Sequence, residues 1–243
     1  MTTLGKLTID KTTGKLQGPA GTVITYNDPF PLAFSRAGVT SQMDGVVLHT
    51  MAGSLESTIQ LLNGPNPQGS AHIGISQAGH IHQFVPIGKG YETFHAFAAN
   101  LRLYGIETED NGHPQTPISD AGLWAWAQCF EFLSRFAGFP LQVTDNCLAY
   151  HRMCQEWNLS NHSCPGASFT DMVRVNQRAE IVTRATLIRE AQQSSRTPGH
   201  VAYAAHGDAL AWGDGTGTRI PFWADVSDAE HAAWEAAAKA VVN

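Results

Sequence analysis

Residues 46–64 read VVLHTMAGSLESTIQLLNG, and this stretch decides the fold class. Val46-Val47-Leu48 is a short apolar run, β-branched at two of three positions, as a buried strand requires. It stops at His49. Ser54 then offers a hydroxyl to cap a helix, Leu55, Ile59 and Leu62 recur at helical spacing, and Gly64 supplies the stop. A buried strand running directly into a helix is the repeating unit of an α/β domain.

The same alternation continues outward. Residues 63–70 (NGPNPQGS) form a loop. His72-Ile73-Gly74-Ile75 and His80 to Val85 read as two strands around Gln77-Ala78-Gly79, a hairpin signal. Tyr104 to Glu107 suggests another strand, and residues 110–118 are a loop with two prolines. The clearest helix follows. Ser119 or Asp120 caps it, Leu123, Trp126, Ala127, Phe130 and Leu133 make one apolar stripe, and Gly138-Phe139-Pro140 ends it. A short strand leads to Tyr150-His151, residues 151–166 are polar and irregular, and a helix is expected from Thr170 to about Gln192. Residues 194–199 (SSRTPG) read as a linker. Beyond a Gly/Asp turn at 213–217, Ser227 and Glu230 make a capping box for a final helix. Residues 1–40, rich in Thr, Gly and Pro, read as a leader packing on the main domain. Residues 41–193 are then the principal domain and 194–243 a small C-terminal extension. Trp212, Phe222, Trp223 and Trp234 of that extension suit either packing on the core or stacking on sugars.

Composition narrows the function. The 243 residues carry 15 Lys plus Arg, 21 Asp plus Glu and a net charge of −6, so a sequence-independent grip on nucleic acid is not expected. A hydrophobic content of 43% excludes disorder by composition. The N-terminus MTTLGKLTID has no apolar run of secretory type, and no stretch is long and apolar enough to span a membrane. Four cysteines, Cys129, Cys147, Cys154 and Cys164, are too sparse for a disulfide framework; reduced thiols are expected, one of them available to a metal. Histidine is over-represented, with 11 residues.

Two histidines and one cysteine stand out. His49 ends the buried strand, His151 follows another apolar run, and Cys164 sits in the tight loop Ser163-Cys164-Pro165-Gly166. Two His and one Cys meet the need of a catalytic zinc site, which keeps a fourth position open. His49 and His151 are 102 residues apart, so spacing alone leaves two readings open. One is three ligands; the other is a buried His, a turn His and a buried Cys.

The ordered set of motifs decides between them. Val46-Val47-Leu48-His49-Thr50, Ser70-Ala71-His72-Ile73-Gly74-Ile75, Gly79 to Pro86, Phe94-His95-Ala96, Tyr104-Gly105-Ile106-Glu107, His151-Arg152 and Cys164-Pro165-Gly166 follow one another across residues 43–170. This order resembles the zinc-dependent N-acetylmuramoyl-L-alanine amidases that share a fold with peptidoglycan recognition proteins, small phage lysins among them. The resemblance implies a central mixed β-sheet flanked by helices and a Zn2+ ion in a surface groove. It implies hydrolysis of the amide between N-acetylmuramic acid and L-alanine in bacterial peptidoglycan. His49, His151 and Cys164 match the zinc ligands. Glu107 matches the general base of one branch; the Tyr used by other members is replaced by Ala71. His162, two residues before Cys164, stands where relatives place a group beside the developing oxyanion, and could instead be a ligand or an exposed loop His. His72 and His95 match positions that shape the groove or contact substrate, and Asn100, Trp124 and Tyr150 are further candidates for its lining.

Some residues fit less neatly. The 13-residue step from His151 to Cys164 exceeds that of many relatives, and Cys154 within it is a competing thiol. His80 and His82 form an H-x-H able to bind metal from one strand face, although the hairpin register is expected to expose both. A non-catalytic peptidoglycan-binding module and a virion-associated wall-penetration protein are the alternatives to a phage endolysin; Cys164 beside two intact His favours the enzyme. The absence of an HExxH motif counts against a thermolysin-like peptidase. The expected setting is a monomer held in the host cytoplasm until lysis.

Overall fold

The computed structural model describes residues 6–27, 35–36, 43–65, 67, 69–194, 227–230 and 232–233. Its strands are β1 (Thr8–Ile9), β2 (Leu16–Gln17), β3 (Ile24–Tyr26), β4 (Ser35–Arg36), β5 (Gly45–Thr50), β6 (Ile73–Ile75), β7 (Ile81–Gln83), β8 (Glu92–Thr93), β9 (Leu103–Thr108) and β10 (Leu148–Tyr150). Its helices are α1 (Leu55–Leu62), α2 (Asp120–Ala137), α3 (Val173–Asn176) and α4 (Arg178–Ser194). The chain divides into two units, Met1–Ile188 and Arg189–Asn243. Among the described residues no helix is long and apolar enough to cross a membrane.

Six strands form the central sheet in the order β10-β5-β9-β6-β7-β3. The pairs β10/β5, β5/β9 and β9/β6 are parallel, β6/β7 is the antiparallel hairpin, and β3 lies parallel to β7. The sheet is therefore mixed, with helices alongside it. Strands β5 and β10 approach so closely that a Cβ on Gly45 would lie 2.1 Å from the Asn146 carbonyl oxygen.

Side-chain alternation along the strands assigns the two faces. Val46 and Leu48 of β5, Tyr104 and Ile106 of β9 and Leu148 of β10 point into the main core. There they meet Leu123, Trp126, Phe130 and Leu133 of α2 and Ile181, Ala185 and Ile188 of α4. Each fully buried Leu, Ile or Phe of this layer contributes about 1.5–3 kcal/mol. Trp126 satisfies its one polar atom by donating Nε1–H to Thr108 Oγ1 at 2.9 Å. The alternate residues Val47, Leu103 and Ala149 face a smaller cluster with Ala96, Ala99 and Trp157. His49, Glu107 and His151 continue that second series to the strand ends.

The helix ends follow the sequence signals. Ser54 caps α1 through Ser57 N–H, and Ser119 caps α2 through Gly122 N–H. Gly138 closes α2 in the left-handed conformation at φ 83°. The hairpin turns at Gly79, also left-handed at φ 79°. Ser227 and Glu230 form the expected capping box, the Ser227 hydroxyl donating to Glu230 Oε2 at 2.6 Å.

Three details differ from the sequence reading. Ile24–Tyr26 is a strand of the central sheet itself, not a layer packed on it. His82 is buried rather than exposed, because β3 covers that edge; its Nδ1 lies 2.8 Å from Thr25 Oγ1 and its Nε2 2.9 Å from Asn27 Oδ1. The helix expected from Thr170 is divided at Gln177, whose amide is held by both the N–H and the carbonyl of Ile118. The linker at 195–199, the 213–217 turn and the aromatic residues Trp212, Phe222, Trp223 and Trp234 lie outside the described residues.

Candidate active site

The register of two parallel strands, β5 and β10, brings the first two donors together. Tyr150 pairs with Leu48, so His49 and His151 follow side by side. Their ring centroids are 4.6 Å apart. Cys164 enters from the loop beyond: its Sγ lies 3.7 Å from His49 Nδ1 and accepts the Thr50 backbone N–H at 3.2 Å. One donor atom from each of His49, His151 and Cys164 falls within 4.8 Å of the others. Two imidazoles and a thiol converging in this way fit a borderline-soft cation such as zinc. Burial, then the neighbouring imidazoles, holds His49 well below the usual histidine range. Burial and His162 bring His151 to about 4. Both therefore present neutral rings, the form that binds metal. Burial first, then Glu107, pushes the Cys164 thiol up, while Thr50 N–H, Arg152 and Arg174 oppose the shift. A cation among these donors reverses the thiol's preference.

The loop that carries Cys164 is tied to the short 3₁₀ turn that carries His151 directly after β10. Arg152 donates to the carbonyls of Ser163 and Asp171, and its own N–H reaches the Cys164 carbonyl at 3.3 Å. A Cβ on Gly166 would lie 2.8 Å from the Asp171 carbonyl oxygen, so glycine is needed where the loop turns. Asn158 grips His162 from both sides of its backbone, accepting its N–H at 2.8 Å and donating to its carbonyl at 2.7 Å. The His162 side chain is exposed and its ring stacks on His151 at 6.0 Å. Cys154 packs against the small apolar cluster around Val47 and Trp157, outside the donor set.

Glu107 faces this donor set. It is the Cα partner of His49 across β5 and β9, and its Oε1 lies 4.0 Å from His49 Nδ1. Its side chain is 19% exposed, while Oε2 is buried without a hydrogen bond among the described residues. Burial, reinforced by Asp110, raises its pKa to about 8. Asp110 is fixed by the Thr50 hydroxyl at 2.9 Å and Gly112 N–H at 2.8 Å. Beneath it lies Arg174, fully buried, donating to the carbonyls of Thr116, Thr108 and Glu109 and to Thr50 Oγ1.

His95 and His72 stand behind the donors. His95 Nδ1 lies 3.0 Å from His49 Nε2, and its Nε2 lies 3.0 Å from the Leu103 carbonyl oxygen. Asn100 Oδ1 accepts the N–H groups of His95 and Ala96 at 2.9 and 2.7 Å. The ring rests on Gly105, where a Cβ would come within 2.6 Å of it. His72 is 1% exposed and accepts Gly105 N–H at 3.0 Å. It therefore shapes the site from within and does not reach its surface. Asn100 acts through the His95 turn. Tyr150 packs its ring against Arg178 at 4.7 Å. Trp124 lies under Arg184 and lines a separate groove with Gly79, His80 and Gln128.

Sequence reasoning did not find Arg174, Asp110 or the carbonyls of Trp157 and Leu103. Arg174 occupies an ordinary position in a polar helical stretch, and nothing in its neighbours marks it. A backbone carbonyl carries no residue-specific signal at all.

Comparison with known proteins places the chain in a family. Residues 39–167 match the family described as N-acetylmuramoyl-L-alanine amidase. No curated protein sequence matches the chain. The Staphylococcus aureus hydrolase AmiA is similar in structure at 15% identity, over 70% of this chain and 85% of that one, with a TM-score of 0.50. A mutant endolysin from Bacillus subtilis shares 15% identity over 68% of this chain and 99% of that one, at a TM-score of 0.48. The Ph2119 endolysin of a Thermus scotoductus MAT2119 bacteriophage shares 18% identity over 65% and 98%, at 0.47. At 15% identity the likeness to AmiA is one of fold.

Proposed function

The chain belongs to the N-acetylmuramoyl-L-alanine amidase family, which matches more than half of its length, and on that footing we propose a zinc-dependent hydrolase whose chemistry is carried by His49, His151, Cys164, Glu107 and His162. Its substrate is peptidoglycan, and the bond cleaved joins N-acetylmuramic acid to L-alanine. The observation that carries the proposal is the convergence of three donor atoms within 4.8 Å with a carboxylate 4.0 Å from one of them.

His49, His151 and Cys164 would hold the ion. When bound there, zinc supplies a Lewis acid that polarises a carbonyl, acidifies water and draws the Glu107 carboxylate toward its ionised form. Glu107 accepts the proton of the attacking water as the new C–O bond forms. The exposed His162 ring donates a hydrogen bond to the oxygen on which negative charge develops. Glu107 then returns the proton to the alanine nitrogen as the C–N bond breaks, leaving a lactyl carboxylic acid and a free amine, between which the acid proton passes to give carboxylate and ammonium. His95 supports the donors from behind.

The motif order resembles small phage lysins, which supports a lytic role as an endolysin acting as a monomer, with residues 41–193 as the catalytic part and 194–243 as an extension. A metal-free recognition module is the second reading, and Cys164 positioned against His49 speaks against it.

The deciding experiment measures zinc content, release of free alanine amino groups and clearing of purified cell walls for the wild type beside Cys164→Ser. The proposal expects about one zinc per chain and clearing by the wild type, and loss of both in the variant. A wild type without zinc, or unchanged clearing by the variant, would overturn it.

A further inference from the structure

We propose that His95 is a positioning residue that fixes His49 in the tautomer with its proton on Nε2, using the Leu103 carbonyl as the anchor. A backbone carbonyl can only accept a hydrogen bond. The 3.0 Å contact between His95 Nε2 and the Leu103 oxygen therefore places a proton on that nitrogen. A neutral imidazole carries one proton, so His95 Nδ1 is left as an acceptor. The 3.0 Å contact to His49 Nε2 is then a donation from His49, and His49 Nδ1 is left with a bare lone pair. That nitrogen is the one facing Cys164 Sγ and Glu107 Oε1.

The same rule fixes the second histidine in a single step. His151 Nε2 lies 3.0 Å from the Trp157 carbonyl, so its Nδ1 is likewise the unprotonated nitrogen. Two main-chain carbonyls thus preset both rings with Nδ1 available. His49 needs the intermediary because among the described residues no carbonyl is its partner; His95 transmits the constraint across the gap.

Three features keep His95 in place for this task. Gly105 has no side chain where the ring lies, and Asn100 holds the backbone N–H groups of His95 and Ala96. His72 packs edge-on against the ring at 6.1 Å. Without the His95 acceptor, His49 is free to rotate or to move its proton to Nδ1, and either change removes the lone pair from the donor set. Partners of this kind commonly contribute 10- to 100-fold in metal affinity.

This inference rests on the reading of His49 as a metal donor, and its test separates the two. Long-range 1H–15N correlation spectra of the metal-free wild type report which ring nitrogen of His49 and His95 is protonated. Zinc dissociation constants are measured by chelator competition for the wild type, His95→Ala and His95→Asn, the last of which keeps a carbonyl oxygen near the place of Nδ1. Thermal melting of each metal-free variant checks folding. The expected result is Nε2–H on both rings in the wild type. Zinc affinity should fall at least about 10-fold in His95→Ala and recover in His95→Asn. A proton on His49 Nδ1, or zinc affinity in His95→Ala within about twofold of wild type, would overturn it. If His95→Ala does not fold, the wild-type spectrum and His95→Asn decide. A wild type that binds no zinc defeats the metal reading and leaves the tautomer result to stand alone.

Discussion

His49 and Glu107 are paired across β5 and β9, and their side chains meet at 4.0 Å without a hydrogen bond between them. A donor nitrogen and a carboxylate are thus set side by side by sheet register alone. Because the pair sits at a strand end, neither needs a flexible loop to hold it. Replacing the carboxylate should therefore leave the donors undisturbed. Glu107→Gln is expected to bind zinc as the wild type does and to lose at least about 100-fold in turnover, the usual worth of a general base. Metal content and amide hydrolysis, measured on the same preparation, check both halves. Retained turnover would remove Glu107 from the mechanism.

The fold class and most of the candidate site were legible in the sequence, for identifiable reasons. His49 and His151 each directly follow short apolar runs, and period-2 alternation then sends both to the same face. Ser119 and Gly138 carry their helix-end chemistry in their own side chains, or in the lack of one. Burial of His82 was not legible, because it depends on β3, whose three residues are too short to show a period. Arg174 was not legible because its partners are carbonyls distant in the chain. His95 was visible only as a motif position; its link to Leu103 follows from a 3₁₀ turn over Phe97–Ala99 that no local signal announces.

Gly105 should not tolerate a side chain. A methyl group there would lie 2.6 Å from the His95 ring, and the ring is held by the Leu103 carbonyl and His49 while Asn100 holds its backbone. Gly105→Ala is expected to cost about 1–3 kcal/mol of stability, the typical penalty of overpacking. Urea unfolding at pH 7 measures it.

Arg174 is a buried cation with every contact directed at the ends of β5 and β9 or at the loop after them. Arg174→Met keeps much of the volume but leaves those carbonyls and the nearby Asp110 without it. The expected loss is about 1–3 kcal/mol, the cost of leaving buried acceptors without a donor. Thermal melting gives the direction, and denaturant unfolding the size.

Acid should weaken the fold through its buried histidines. Burial holds His72 at about 3, against roughly 6.5 when unfolded. Its folded pKa is depressed, so the unfolded chain takes up the proton first, and stability falls as pH drops from 6.5 toward 3. For this residue alone the loss between pH 7 and pH 5 is about 2 kcal/mol. Burial shifts His82 in the same direction and adds to the effect. Unfolding midpoints at pH 7 and pH 5, for wild type and His72→Asn, check the sign. Equal stability at both pH values in the wild type would contradict it.

The strand order has a kinetic consequence. Neighbouring strands β5 and β10 come from segments roughly a hundred residues apart, and β5 and β9 from segments roughly sixty apart, so the central pairings are non-local and slow to find. His49 is synthesised long before His151 and Cys164, and it has no partner donor until β10 docks beside β5. The three side chains therefore come together only once β10 has docked. A ribosome must release most of the first unit before His49, His151 and Cys164 can meet, which separates production of the polypeptide from assembly of its candidate site.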